Sequence, residues 1–148
     1  MTKDGGPLRE TKDERPVVRR SSSVDDRGTY ALVIYLPRAK TIRVGALGAF
    51  KFPSGYYVYI GSAMNGLSAR IARHLRRDKK RFWHIDYLLE HARVIDVWTR
   101  ESTMRLECRW ARAALALPNA RVVAPRFGAS DCNCAAHLIH LRKLNTEY

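Results

Sequence analysis

Gly28-Thr29-Tyr30-Ala31-Leu32-Val33-Ile34-Tyr35-Leu36 and Tyr56-Tyr57-Val58-Tyr59-Ile60-Gly61 are the two stretches that decide the fold. Both are dense in β-branched and aromatic side chains, which suit a pleated, half-buried surface. The first stops at Pro37 and the second opens after Pro53-Ser54-Gly55, which has turn chemistry. Strand alternation puts Tyr57 and Tyr59 on one face and Tyr56, Val58 and Ile60 on the other. Between the two strands, Thr41 to Val44 and Ala49 to Phe52 form a short hairpin, separated by Gly45 and Gly48.

After Gly66 the period changes from two to that of a helix. Leu67, Ile71 and Leu75 recur at i, i+4 and i+8, an apolar stripe that predicts a helix to about Arg77. Arg70, His74, Arg77 and Arg81 would share its other face if the helix continued. Phe82 to His91 reads as a second helix, with Ile85, Leu88 and Leu89 inward and Trp83 and His84 as anchors. Arg93 to Thr99 alternates like a strand. A third helix, Met104 to Leu117, is capped by Ser102 or Thr103 and ended by Pro118-Asn119. Arg121 to Ala124 and His137 to Leu141 are short closing strands around a polar loop. The expectation is a mixed α/β (α+β) domain over 27–142: a small, mostly antiparallel central sheet flanked by about three helices. Residues 1–26, rich in Gly, Pro, Ser and charges of both signs, read as a disordered tail, and 143–148 as a C-terminal tail.

The net charge is +13 on 148 residues. The first 26 residues hold six Lys/Arg and six Asp/Glu, so the whole excess sits on the folded part. A polyanion that neutralises such a surface is stabilised by counterion release, which makes nucleic acid, DNA first, the expected partner. Seven of the twelve residues 70–81 are Lys or Arg. Arg73, Arg76, Arg77, Lys79, Lys80 and Arg81 are therefore candidate phosphate contacts, against the plainer reading of a solvated basic face. No apolar run approaches the roughly 18 residues of a transmembrane helix, so no membrane role is expected. Cys108, Cys132 and Cys134 are an odd set and no secretory signal precedes them, which fits a reducing cytoplasm, at the nucleoid when bound to DNA. No helix-turn-helix or zinc-finger motif implies sequence specificity, and nothing in the sequence sets the oligomeric state.

Gly28-Thr29-Tyr30, then Tyr59-Ile60-Gly61, then Arg70 and His74 one turn apart resemble the signature of the GIY-YIG nucleases. The resemblance covers about residues 27 to 142. The hairpin insertion, Tyr56 to Ala63, Trp83-His84-Ile85-Asp86-Tyr87-Leu88 and Asp131-Cys132-Asn133-Cys134 look like the small Uri-type branch, formerly an uncharacterised domain family. That branch is sometimes fused to a base-excision DNA glycosylase, which implies a functional link to one. The resemblance implies a metal-dependent endonuclease cleaving DNA phosphodiesters, in repair or recombination. Tyr30 would be the general base with Tyr59 beside it, Arg70 the phosphate countercharge, and His74 a group orienting Tyr59 or water. Glu107 would hold one Mg²⁺ or Mn²⁺ ion. Thr29 stands where the family has Ile, as a β-branched packing residue, and Ser62 follows Gly61 directly. Asn133 is the nearest candidate for an Asn that closes the site in several members.

Each assignment has a chemical basis. An Arg stays charged and its planar fork matches phosphate oxygens. One carboxylate with phosphate oxygens and waters suits a hard divalent ion. Glu107 lies among Arg105, Arg109 and Arg112, so an intrahelical ion pair competes with that role. A free phenol titrates near 10, so Tyr30 needs its pKa lowered to act as a base. Tyr35 and Tyr56 read as sheet residues. Asp131, Cys132, Cys134 and His137 form a secondary site; Asp131 is expected to cap backbone amides of the loop. Cys-x-Cys-x2-His lacks a fourth ligand, which Cys108 or His140 would have to supply, and paired Cys-x2-Cys knuckles are absent, so zinc is not expected. A nucleic-acid-binding module with weak or lost catalysis on the same scaffold is the alternative function, and a zinc-dependent interaction module the third.

Overall fold

In a computed structural model, residues 16–19 and 26–142 are described. The domain is built on a six-stranded sheet in the order β1-β6-β2-β5-β8-β7. β2 (Gly28–Leu36) pairs antiparallel along its whole length with β5 (Gly55–Ala63), so that Tyr30 faces Gly61, Leu32 faces Tyr59 and Ile34 faces Tyr57. On its other edge β2 pairs antiparallel with β6 (Arg93–Glu101), with a bulge between Val33 and Ile34. β8 (Leu138–Leu141) adds to β5, and β7 (Ala120–Arg121) to β8, both antiparallel. The two expected closing strands are thus present but shorter. β3 (Lys40–Val44) and β4 (Gly48–Phe52) form the separate hairpin, joined by a single 3₁₀ turn at Gly45–Leu47.

One stretch expected to lack order does not. Val18 and Arg19 form β1, parallel to β6 with Val18 opposite Val97, and Val18 packs against the core. Asp26 is also part of the folded domain. Its carbonyl and carboxylate accept from the backbone N–H groups of Leu67 and Ser68 at 2.8 and 2.9 Å and so cap the first helix from a distance. The remainder of the expected N-terminal tail and residues 143–148 lie outside the described residues.

Register explains the core. Tyr30, Leu32, Ile34 and Leu36 line one face of β2, and pairing places Tyr57 and Tyr59 of β5 and Val97 of β6 on the same face. All are buried, against Leu67, Ile71, Ile85 and Leu88 of the helices. The opposite face buries Ile60 and Ile139.

All three helices are shorter than the sequence suggests. α1 spans Leu67–Leu75, α2 spans His84–Leu89 and α3 spans Glu107–Leu115. α1 ends at Arg76, whose extended backbone stops the helical ladder. Arg77 and Arg81 therefore do not continue a face with Arg70. α3 starts after the expected cap: the Ser102 hydroxyl accepts from Met104 N–H in a turn, and the helix proper begins at Glu107. The Leu106 N–H at its head is satisfied by Thr29 Oγ1 at 3.0 Å. α3 packs against β5 and β8.

Candidate active site

Gly61 is where the two decisive strands make the site. It faces Tyr30 across the ladder, and a Cβ at Gly61 would sit 2.5 Å from the Tyr30 hydroxyl. Only a missing side chain lets that phenol lie across the neighbouring strand. Thr29, on the opposite face, does more than fill space. Its buried hydroxyl pairs with Ser62 at 3.0 Å as well as accepting from Leu106, so it ties β2, β5 and the head of α3 together. The expectation of a plain β-branched packing residue at Thr29 missed this polar role.

Tyr30 Oη lies 2.8 Å from His74 Nε2 and within hydrogen-bonding reach of the Arg70 guanidinium. Tyr59 stands against both rings, 6.4 Å from Tyr30 and 6.0 Å from His74 between centroids. His74 is 2% exposed, not part of a solvated basic face. The helical period could have shown this, because at about 100° per residue i+7 from Leu67 falls closer to Leu67 than i+8 does. Burial pushes His74 down to about 3, so it is a neutral imidazole at physiological pH. Burial likewise pushes Tyr30 up to about 12, against an opposing pull from Arg70, and raises Tyr59 well above the ordinary phenol value. Both phenols are therefore protonated at neutral pH, the opposite of what a tyrosine base requires.

Arg70 donates to the Ser62 carbonyl at 3.3 Å and stacks over Trp83, 4.5 Å from its ring centroid. Both contacts leave the edge of a guanidinium free for an anion. Tyr30, Tyr59, Arg70 and Glu107 line one cleft of about 440 Å³, with Phe82, Trp83, His84, Asp131 and His137 around it. Glu107 forms no ion pair with Arg105, Arg109 or Arg112, and its Oε1 is buried without a hydrogen-bond partner among the described residues. Such an orphan costs on the order of 1–3 kcal/mol unless a water, ion or ligand group satisfies it. It marks the carboxylate as unspent.

The cationic segment divides. Arg73 forms a two-pronged pair with the buried Asp86 at 3.0 and 3.2 Å and also donates to the Lys80 carbonyl. Burial would raise the Asp86 carboxyl, but Arg73 and the backbone N–H groups of Trp83 and Phe82 outweigh it and hold the pKa below the ordinary value. Lys79 donates to the carbonyls of His74 and Arg76, and Arg81 pairs with Glu90 at 2.6 Å. Arg73 and Lys79 are thus engaged in the fold itself, whereas Arg81 is exposed in a surface ion pair. Arg76, Arg77 and Lys80 are exposed and remain the accessible candidates for phosphate. His84 anchors more than its helix, since its Nδ1 accepts from Gly128 N–H at 2.8 Å and orders the loop over the cleft. Asn133 lines a separate depression against α3 and does not face the cleft. Asp131 is exposed at the cleft rim and makes none of the amide-capping bonds expected of it.

The metal expectation is overturned. A single Mg²⁺ or Mn²⁺ ion at Glu107, the ion expected in preference to zinc, would need further hard oxygen ligands around that carboxylate. Among the described residues, no group of three or more metal-ligating side chains forms there. The group that does form is Cys108, Cys132, Cys134 and His137, whose ligand atoms all lie within 4.8 Å of one another. This soft set is typical of zinc. Cys108 supplies the fourth ligand that the loop motif lacks. Hydrogen bonding with the Cys134 thiol, then burial and hydrogen bonding with Cys132, pushes the Cys108 thiol up to about 12. Of the two residues that the sequence offered as a fourth ligand, Cys108 on α3 completes the set and His140 does not.

Residues 29–148 match the family model described as a domain of unknown function, DUF123. No curated protein and no solved structure matches the chain. No helix among the described residues is long and apolar enough to cross a membrane.

Proposed function

The chain belongs to the DUF123 domain family, and from the cleft it carries we propose a nuclease that hydrolyses DNA phosphodiesters, of the GIY-YIG kind and its Uri-type branch. The single observation that carries this reading is the convergence of Tyr30, Tyr59, Arg70 and an unpaired Glu107 carboxylate on one cleft large enough for a phosphate.

The chemistry divides among these groups as follows. Arg70 binds the non-bridging phosphate oxygens and balances the charge that grows on them in the transition state. Tyr30, a neutral phenol held by His74 and Arg70, is a hydrogen-bond donor to the same phosphate. Glu107 Oε1, with acceptor capacity unspent, orients the attacking water. Attack breaks one P–O bond and leaves a phosphomonoester and a free hydroxyl. Phe82, 74% exposed at the rim and edge-to-face with Trp83, offers a surface for base stacking. Arg76, Arg77 and Lys80 extend the positive surface along which the backbone would run. A role in repair or recombination, at the nucleoid in the cytoplasm and alongside a base-excision glycosylase, follows from the same resemblance.

Supercoiled, branched and single-stranded DNA, with and without added divalent cations, provide the test. Nicking by the wild type that falls at least ~100-fold in both R70A and E107Q supports catalysis. Equal nicking by all three proteins would reject it. The second reading, a DNA-binding module with weak catalysis, is favoured by the raised Tyr30 and Tyr59 phenols. It predicts salt-sensitive binding with no cleavage by any variant.

A further inference from the structure

Cys132 and Cys134 sit on the loop before β8, His137 immediately precedes that strand, and Cys108 sits on the first turn of α3. Nothing in the spacing of Cys108 brings it to the other three; the packing of α3 on β5 and β8 does. The His137 Nε2 lies 3.4 Å from Cys132 Sγ and 3.8 Å from Cys108 Sγ. A zinc tetrahedron with Zn–S of about 2.3 Å and Zn–N of about 2.0–2.1 Å has edges of about 3.5–3.8 Å. The two His–Cys separations are those of a ligand shell, and the whole set of ligand atoms lies within 4.8 Å of one another. All three cysteines are free and half-buried, and His137 is buried.

The surrounding structure holds the ligands in place. Arg126 donates to the carbonyls of Cys132 and Cys134 at 2.5 and 2.6 Å, and its own N–H bonds the Ala135 carbonyl. His137 is fixed at its backbone by bonds to Phe127 and Ile60. Backbone hydrogen bonds of this kind orient metal ligands before the ion arrives. Three of the four ligands are tied to the cleft. Cys108 follows Glu107, Cys132 follows Asp131, and His137 is itself a cleft residue.

We propose that Cys108, Cys132, Cys134 and His137 bind one zinc ion as a closed structural site that clamps the 131–137 loop onto α3 and so sets the cleft wall carrying Glu107. A closed four-ligand shell leaves no position for substrate, so this ion does not take part in chemistry. The site does not depend on the nuclease reading, and its test reads metal and structure, not cleavage.

The full chain, produced with zinc supplied, is expected to carry one zinc per chain by elemental analysis. After chelation it should take up one equivalent of Co²⁺ with the thiolate-to-cobalt charge-transfer band and the strong visible absorption of a tetrahedral site. H137C should still bind one Co²⁺, with a spectrum shifted toward an all-sulfur shell, whereas H137A and C132S should bind at least ~10-fold more weakly. H137C guards against a merely misfolded variant, because a purely packing role for His137 would not be served by a thiol. Absence of zinc, or Co²⁺ uptake without a thiolate band, would overturn the site. Limited trypsin digestion tests the clamp: cleavage after Arg126 should appear on chelation and disappear when zinc returns. A cleavage pattern indifferent to zinc would overturn the clamping role.

Discussion

The two walls of the cleft are held by different chemistry. The wall made by α1 and α2 is fastened by charge: Arg73 locks onto the buried Asp86, which also receives the Phe82 and Trp83 backbone N–H groups. The wall made by α3 and the 131–137 loop is fastened by the Thr29 hydroxyl at its head and by the convergence of three sulfurs and an imidazole. On the first wall, a stretch that looks like a solvated cationic face contains one cation, Arg73, committed to a buried carboxylate. On the second, residues scattered along the chain become one site. Density of charge in sequence is therefore a poor guide to which charges remain available, and distance in sequence is a poor guide to which ligands cooperate.

The comparison can be broken most severely at Asp86. D86A leaves Arg73 without its buried partner and the Phe82 and Trp83 N–H groups without their acceptor, so a loss of about 3–5 kcal/mol is expected in urea unfolding. A loss no larger than that of an exposed charge would show that the first wall is not held by this pair. On the second wall, T29V keeps the shape but removes the acceptor of Leu106 N–H and the partner of Ser62. It should cost about 1–3 kcal/mol by the same measurement.

His74 separates the walls by pH. Its folded value, about 3, lies below the ordinary 6.5. The unfolded chain therefore takes up a proton near pH 6.5 that the folded chain refuses. Its contribution to stability is complete above pH 6.5 and falls by up to about 1.4 kcal/mol per pH unit as the pH drops toward 3. H74Q should flatten that slope; an unchanged slope would mean that His74 is not the group responsible. The smallest effects on stability belong to Arg76, Arg77 and Lys80. Replacing one with Ala should leave unfolding unchanged while lowering the dependence of log DNA affinity on log salt by about 0.9 per lost phosphate contact. R73A, in contrast, should unfold the first wall.

Part of this was legible along the chain. The strands at 28–36 and 56–61, their antiparallel pairing and the hairpin between them follow from alternation and turn residues, which act over a few neighbours. Helix lengths were overestimated because apolar periodicity does not report the extended backbone at Arg76 that ends α1 or the turn at Ser102–Met104 that precedes the ladder of α3. Val18–Arg19 was missed because two residues carry no periodicity; β6 supplies the edge on which they pair. The resemblance named Tyr30, Tyr59, Arg70 and Glu107, and they do share a cleft. It did not reveal that both phenols are held protonated by burial, which depends on what packs over them.

By itself the sequence determined the sheet: β-branched and aromatic alternation, interrupted by glycine and proline, leaves the backbone few other ways to satisfy its hydrogen bonds. Tertiary structure alone decided that His74 meets Tyr30, that Arg73 and Lys79 are engaged within the fold, and that Cys108 meets Cys132, Cys134 and His137. Each of these joins groups from different elements, and their separation is set by how helices pack on the sheet. No local propensity encodes that distance.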